Sequence, residues 1–362
     1  VVLPAPLPWS FGAAFVDVGW LLPGAAVFGA AGLSLCAFVV AAAVAGGPRA
    51  PAALVTGAVA LASMTWSSFL SKAVDAAPTV RVAALHLPAP AFEGAHVRTH
   101  ARRPGATDDL LRRARAMAAA GAEIVVTPET ALPGVWPAAE TGELLPRAAG
   151  RPGTHLVAGA VVEDDGRWFN SAVVFDEAGA SASRYDKRSL LPLAEAVPGS
   201  EALPALRSLS PRSGAFSAGA GSPAVQVGGV RVGVSICLED TLPGSSRAAT
   251  AEGAEILVNL TNDAWFAGSS EPEAHFALAR MRAAEVARPL VRATAGGVTS
   301  IVDAAGVVTA RVDPGREGEV AASVARLDIR SPRDRFGLLP LALLCAAALA
   351  LGRRGRGVSQ AS

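Results

Sequence analysis

Cys237 ends a run of β-branched residues, 230–236, and is followed by Leu238, Glu239 and Asp240. Cysteine is the side chain closest to being a nucleophile at neutral pH. Strand ends are where many α/β enzymes mount chemistry, because the sheet holds a side chain rigidly at its exposed edge. Seen alone, the residue reads as a small buried core residue. Glu129 follows Pro128 at the end of another apolar run, and Lys187 lies in the polar patch 183–188. Taken singly, the carboxylate reads as a turn cap or an arginine partner, and the lysine as part of a solvated edge. Together the three supply what thiolate attack on a carbonyl requires. A base takes the thiol proton, a cation meets the developing oxyanion, and the protonated base serves the leaving group. His86, His96, His100, His155 and His275 do not stand at metal-ligand spacing, so no metal or other cofactor is expected.

The elements that must position these residues sit in an uneven chain. Of 362 residues, 51% are hydrophobic and only 17% charged. Residues 18–48 and 50–71 carry no charge, and each is long enough for a bilayer, which takes about 20 apolar residues per helix. A third apolar run, 336–352, is shorter and is followed by Arg353, Arg354 and Arg356. The expected organisation is a membrane region over 1–72 with two transmembrane helices, a catalytic domain over 73–330, and a transmembrane helix with a basic tail over 331–362. A signal peptide fits the first run poorly, since no basic residue precedes it and Pro4, Pro6 and Pro8 open the chain. The chain starts on Val, through an alternative start codon or because upstream sequence is missing. The basic tail predicts a cytoplasmic C-terminus and an extracytoplasmic catalytic domain. Net charge is +1 with no long basic run in the domain, so nucleic acid is not an expected partner. Cys36 and Cys345 fall within apolar runs, which leaves Cys237 as the one thiol of the aqueous domain, without a disulfide partner there. An unpaired thiol outside the cytoplasm is an oxidation liability and calls for a functional reason.

Within the aqueous region the patterning predicts strands over 79–86, 123–129, 155–162 and 170–175, and a short extended piece over 184–190. It also predicts a hairpin over 224–237 turning at Gly228-Gly229, and strands over 255–262, 290–294, 298–302 and 307–312. Helices are predicted from Thr107 to Ala120, over 244–252, and from Pro272 to Arg288. Residues 92–106 read as a loop with His96 and His100 solvated. Helices between strands, with many hairpins, imply a layered α/β fold.

Four segments then carry a family resemblance. Residues 126–131 (Val-Thr-Pro-Glu-Thr-Ala), 169–172 (Phe-Asn-Ser-Ala), 185–190 (Tyr-Asp-Lys-Arg-Ser-Leu) and 236–239 (Ile-Cys-Leu-Glu) come in the order and approximate spacing of the carbon–nitrogen hydrolase (nitrilase) superfamily. The chain most resembles that superfamily's apolipoprotein N-acyltransferases, through 190–198, through 259–266 (Asn-Leu-Thr-Asn-Asp-Ala-Trp-Phe), and through His275 with 280–289. Apolar runs on both sides of the domain add to the likeness. The resemblance implies an αββα sandwich flanked by transmembrane helices and a Glu129–Lys187–Cys237 triad. It implies that Cys237 carries an acyl chain as a thioester, that Glu129 is base and then acid, and that Lys187 stabilises the oxyanion. Glu195 matches a second glutamate supporting the lysine or the attacking amine. Glu239 matches the family glutamate two past the cysteine, with an arginine ion pair as the plainer reading. Asn262, Asp263, Trp265 and Phe266 are expected to border the pocket, and Arg282 with Glu285 to form a structural ion pair. The chain departs from the family at Leu238, commonly aromatic, and at Thr127, commonly tryptophan. The loop 89–103 lacks the family's frequent tryptophan, and fewer N-terminal spans are present.

The implied reaction moves an acyl chain from a phospholipid donor to Cys237, then to the α-amine of a diacylglyceryl-cysteine at a lipoprotein N-terminus, in a bacterial inner membrane. Two alternatives stand beside it: a membrane-tethered amidase or nitrilase acting on a small amide, and a catalytically degenerate membrane scaffold.

Overall fold

The computed structural model describes residues 10–88, 106–132, 134–136, 152–197, 199, 203, 205–206 and 216–359. Two β-sheets pack face to face. The first contains β1 (Thr79–Leu85), β2 (Ile124–Val126), β3 (Val135–Trp136), β4 (His155–Asp164), β5 (Arg167–Phe175), β6 (Ser181–Asp186) and β13 (Glu319–Ala325). Its order is β13-β1-β2-β4-β5-β6, with β3 on β4. The second contains β7 (Ala224–Val227), β8 (Val230–Ile236), β9 (Ile256–Asn262), β10 (Leu290–Ala295), β11 (Thr299–Val302) and β12 (Val308–Val312), ordered β12-β11-β10-β9-β8-β7. The β4–β5 hairpin turns on Asp165 and Gly166, both at positive φ (52° and 70°), as a two-residue turn between twisted strands requires.

Alternation along the strands sends one set of side chains between the sheets. Val82, Val126, Val157, Val174, Val232, Val258 and Val291 meet there in one buried core. The opposite face of the first sheet packs on α3 (Ala106–Ala119) through Leu110, Leu111 and Ala114. That of the second packs on α4 (Pro243–Ala251) and α5 (Glu271–Val286) through Ala249, Phe276, Ala279 and Ala283. The result is a four-layer αββα sandwich.

Outside the sandwich stand α1 (Ala25–Val44), α2 (Arg49–Ala76), α6 (Pro332–Phe336) and α7 (Leu339–Ser359). Among the described residues two helical segments, Leu22–Val44 and Arg49–Ala76, are long and apolar enough to cross a membrane, and the apolar part of α7, Leu339–Arg353, is shorter. They share a core with the sandwich: Leu22, Phe28, Leu33, Val55, Val59 and Leu344 pack with Met281 and Ala284 of α5.

Three expectations change. The strand predicted over 123–129 stops at Val126, and Glu129 sits in a turn rather than on a strand. The apolar run 18–48 is not one straight helix, because hydropathy reports length and not path. Phe11–Phe15 and Leu22–Gly24 are 3-10 turns, and α1 is broken at Gly29 (φ 68°, ψ 177°), a conformation open essentially to glycine. Strand β13 was not expected, being built of small residues of weak strand propensity. It nonetheless pairs with the whole of β1, from Thr79 with Ala325 to Leu85 with Glu319. Residues 92–105, with His96 and His100, lie outside the described residues, as does the loop 89–103.

Candidate active site

The parallel register of β8 and β9 pairs Ile236 with Leu260, so the turns leaving these strands sit side by side. Cys237 opens the first of them, the 3-10 turn Cys237–Thr241, with φ at +54°. A non-glycine residue in that region costs on the order of 1–3 kcal/mol and persists only when its surroundings hold it. Asn259 helps, its side-chain amide donating to Cys237 O (3.1 Å) and Ser235 Oγ (3.2 Å). The residue as a whole is half-buried. Burial pushes its thiol well above the ordinary cysteine value, the Glu129 carboxylate pushes the same way, and the Lys187 ammonium opposes them.

Glu129 comes from the turn after β2, which presses on β4 at Gly159. A Cβ at Gly159 would collide with Pro128 O and the Thr130 amide. Lys187 follows β6 and is pinned by its own N–H, which donates to Asn170 O (2.8 Å). Taken alone this lysine reads as part of a solvated edge, but it is 1% exposed, as a site residue can be and an edge residue is not. Its Nζ lies 2.8 Å from Glu195 Oε2 and 3.6 Å from Glu129 Oε1. Burial alone would lower the lysine, yet the charges available at Cys237, Glu129 and Glu195 hold it above its ordinary value. Glu129 moves up, because burial outweighs the lysine and the Asn170 amide. Glu195 is set by a tight turn in which its Oε2 also accepts the Leu191 N–H (2.8 Å).

Asn170, quoted in a motif but given no role, joins the two glutamates. Its Nδ2 donates to Glu129 Oε1 (2.6 Å) and Glu195 Oε1 (2.9 Å). The signal was present: an amide between Phe169 and the apolar run that ends at Phe175 is placed where a buried polar group demands partners.

Among the described residues, Glu239 does not pair with an arginine side chain. Its Oε1 accepts the backbone N–H groups of Arg188 and Ser189 (both 2.8 Å), and its Oε2 accepts the Ile236 N–H (2.9 Å) and the Tyr185 hydroxyl (2.8 Å). One carboxylate therefore fastens the chain just after Lys187 to the chain just before Cys237. Tyr185, like Asn170, lies within a sequence motif that assigns it no role of its own.

The loop after β9 divides. Trp265 is 61% and Phe266 36% exposed, while Asn262 and Asp263 turn inward. Asn262 Oδ1 accepts the Ala264 N–H (3.1 Å). Leu238 is half-buried against Ala13 and Leu278. Asp263 lies in a second buried cluster with Asp240, His275 and Arg292, of which only Asp263 had been assigned a place in the site. Asp263, Glu271 and His275 each bring a ligand-type atom within 4.8 Å of one another. A cation fits them poorly. Both His275 nitrogens already face carboxylates, and the Arg292 guanidinium occupies the second Asp263 oxygen. Arg282 and Glu285 do pair, at 3.0 Å.

A half-buried cysteine, a carboxylate of raised pKa and a buried ammonium can together carry out acyl transfer through a covalent intermediate. The family model for carbon-nitrogen hydrolases matches residues 58–334. The apolipoprotein N-acyltransferase of Geobacter metallireducens is 36% identical over 185 residues, covering 50% of this chain and 36% of that protein. That of Shewanella oneidensis is 32% identical over 250 residues, covering 64% of this chain and 47% of that protein. The matched region thus spans less than half the length of these relatives. Among solved structures, an amidase of the nitrilase superfamily from Nesterenkonia AN1 superposes with a TM-score of 0.52 at 21% identity, covering 72% of this chain and 95% of the amidase.

Proposed function

The chain belongs to the carbon–nitrogen hydrolase family, and from that premise we propose that it is an apolipoprotein N-acyltransferase. Cys237 attacks the ester carbonyl of a phospholipid while Glu129 takes the thiol proton. Lys187, steadied by Glu195, faces the developing oxyanion, where a fixed charge in a dry site is most effective. Glu129 returns the proton to the leaving alcohol, a lysophospholipid departs, and the acyl chain remains as a thioester. The α-amine of a lipoprotein's N-terminal diacylglyceryl-cysteine then attacks, Glu129 takes the amine proton and returns it to the thiol, and an amide is released. Asn170 keeps the two glutamates in register, and Glu239 holds the turns of Lys187 and Cys237 together.

The observation that favours this reading over a small-amide hydrolase is that Leu238, next to Cys237, packs on the cluster formed by Leu278 and Ala13, the latter in the 3-10 turn that precedes the first apolar helix. This packing sets the Cys237 turn against the segment that leads into the first apolar helix, and the exposed Trp265 and Phe266 add apolar surface on the loop after β9, as lipid substrates would require. In this reading the apolar helices of 1–72 and 331–362 span the bacterial inner membrane, the domain over 73–330 is extracytoplasmic, and the C-terminus is cytoplasmic. Incubation of the purified protein with phospholipid vesicles should leave an acyl thioester on Cys237, detected by mass spectrometry and absent from Cys237→Ser. Release of ammonia from small amides without such an adduct would sink the proposal in favour of an amidase. Absence of both activities in well-folded protein would favour a scaffold.

A further inference from the structure

Behind the thiol, four charged side chains close a ring. Asp240 Oδ1 lies 2.8 Å from His275 Nε2, and Asp263 Oδ1 lies 2.9 Å from His275 Nδ1. Arg292 completes it, Nε to Asp240 Oδ2 at 3.1 Å and a terminal nitrogen to Asp263 Oδ2 at 3.2 Å. All four residues are at most 5% exposed. Resting on the acyl-transfer reading above, we infer that this ring is the positioning device for the nucleophile, with His275 as an imidazolium bridging its two carboxylates.

The geometry requires that charge state. A neutral imidazole has one N–H and one lone pair, so one carboxylate would face a lone pair at hydrogen-bond distance. Only the imidazolium donates at both ends. The ring then holds two positive and two negative charges, the condition under which buried charges are tolerated. Both ring nitrogens are committed and His275 is fully enclosed, so it does not exchange protons with substrate.

What the ring joins gives it a role. Asp240 is in the same 3-10 turn as Cys237, three residues on. Asp263 follows the last residue of β9, and its N–H donates to Ala295 O (2.8 Å). Arg292 is on β10 and also donates to Val298 O (3.0 Å). His275 belongs to α5, whose later turns pack on the apolar helices. The backbone at Cys237 is strained, and the ring is the set of bonds that ties its turn to two strands and a helix at once. Gly297 is part of the fit, because a Cβ there would occupy the place of the Asp263 carboxylate.

The test uses the full chain in detergent micelles and compares His275→Gln, which keeps one donor, with Arg292→Lys, which keeps the charge but loses the fork. Arg288→Met is the control: Arg288 is buried and bonds backbone carbonyls of Ala254, Val286, Ala287 and Ile329 without touching the ring. Three quantities are measured on the folded fraction: the iodoacetamide alkylation rate at Cys237 by peptide mass spectrometry, kcat and KM for acyl transfer, and the thermal midpoint. Misplacement of a reacting group by about 1 Å costs on the order of 100-fold. Both ring variants should therefore lower Cys237 alkylation and kcat together, by about 10- to 100-fold, with KM unchanged. Arg288→Met should lower the midpoint only. Ring variants that lower only the midpoint, or match the control in all three readouts, would overturn the inference. A drop in alkylation in a protein whose wild type shows no acyl transfer would leave the ring's role standing and reject the acyl-transfer reading instead.

Discussion

Replacing Glu239 by glutamine tests whether a single carboxylate holds the lysine and cysteine turns in register. Glu239 accepts four hydrogen bonds, two on each oxygen. An amide has one acceptor end. With its oxygen on the side of Arg188 and Ser189, those two bonds survive, weakened by the loss of charge assistance. Its NH2 then faces the Tyr185 hydroxyl, which can turn and accept, and the Ile236 N–H, which cannot. One buried backbone donor is left unpaired, at about 1–3 kcal/mol. Weaker bonds to Arg188 and Ser189 add to this, and removing a carboxylate whose pKa burial has raised offsets part of it. The expected net loss is about 3 kcal/mol of stability. Tyr185→Phe removes one bond to the carboxylate and leaves Oε2 with the Ile236 N–H, so its loss is at most about 1.5–3 kcal/mol and smaller than that of the glutamine variant. Because Ile236 precedes Cys237 and Arg188 follows Lys187, kcat should fall in the same order while KM changes little. Chemical denaturation followed by fluorescence, together with steady-state kinetics in mixed micelles, reads both quantities. If Tyr185→Phe costs as much as Glu239→Gln, or if the glutamine variant keeps wild-type stability and turnover, the stapling argument is refuted.

Two other outcomes follow from the structure. Burial pulls His275 down, but Asp240 and Asp263 raise it to about 10, from an ordinary value of 6.5. Its stabilising contribution is fully present below about pH 6.5 and is lost as pH rises through about 10. The thermal midpoint of the wild type should therefore fall more steeply between pH 7 and 10 than that of His275→Gln, and parallel curves in differential scanning fluorimetry would contradict the imidazolium. Gly159→Ala should displace the Glu129 turn, since its Cβ would meet Pro128 O and the Thr130 amide. Overpacking of this kind costs about 1–3 kcal/mol, and turnover should drop beyond the stability loss, whereas equal kcat per folded molecule would show that the turn yields harmlessly.

The sequence made some of this legible and hid the rest for physical reasons. Cys237 and Glu129 could be read because each follows a β-branched run and is followed by a change in polarity, whereas Lys187 sits in a polar patch and was legible only through the motif 185–190. A layered α/β fold was legible through the apolar runs, and the αββα sandwich only through the family resemblance. Asn170 and Tyr185 lay inside recognised motifs, but their value depends on partners in other strands that local pattern does not name. Asp240, Asp263, His275 and Arg292 have no shared spacing, so only the adjacency of β8, β9, β10 and α5 brings them together. Strand β13 escaped because alanine and serine give little strand signal, and its partner β1 is more than two hundred residues earlier. The break at Gly29 escaped because hydropathy is blind to backbone conformation.

That break is also where sandwich and apolar helices become one structure. The exposed Ala30 N–H at the break donates to Glu285 Oε1 (2.7 Å), and Glu285 is itself paired with Arg282 on α5. A Cβ at Gly29 would stand 3.2 Å from Arg333 Nε and 3.3 Å from Glu285 Oε1, so the first turn of α6 closes on the same point. Helix α5 accordingly has no solvent face over most of its length: Phe276, Ala279 and Ala283 meet the second sheet, while Met281 and Ala284 meet the apolar helices. A helix buried all round transmits displacement to whatever it touches, since packed interiors have little room to absorb it. Its first turns carry His275 and its later turns carry Arg280, which bonds Asp17 (2.6 Å) and Val16 O (2.8 Å). The apolar helices are thus part of the scaffold that sets the Cys237 turn, and not a tether for a domain complete without them.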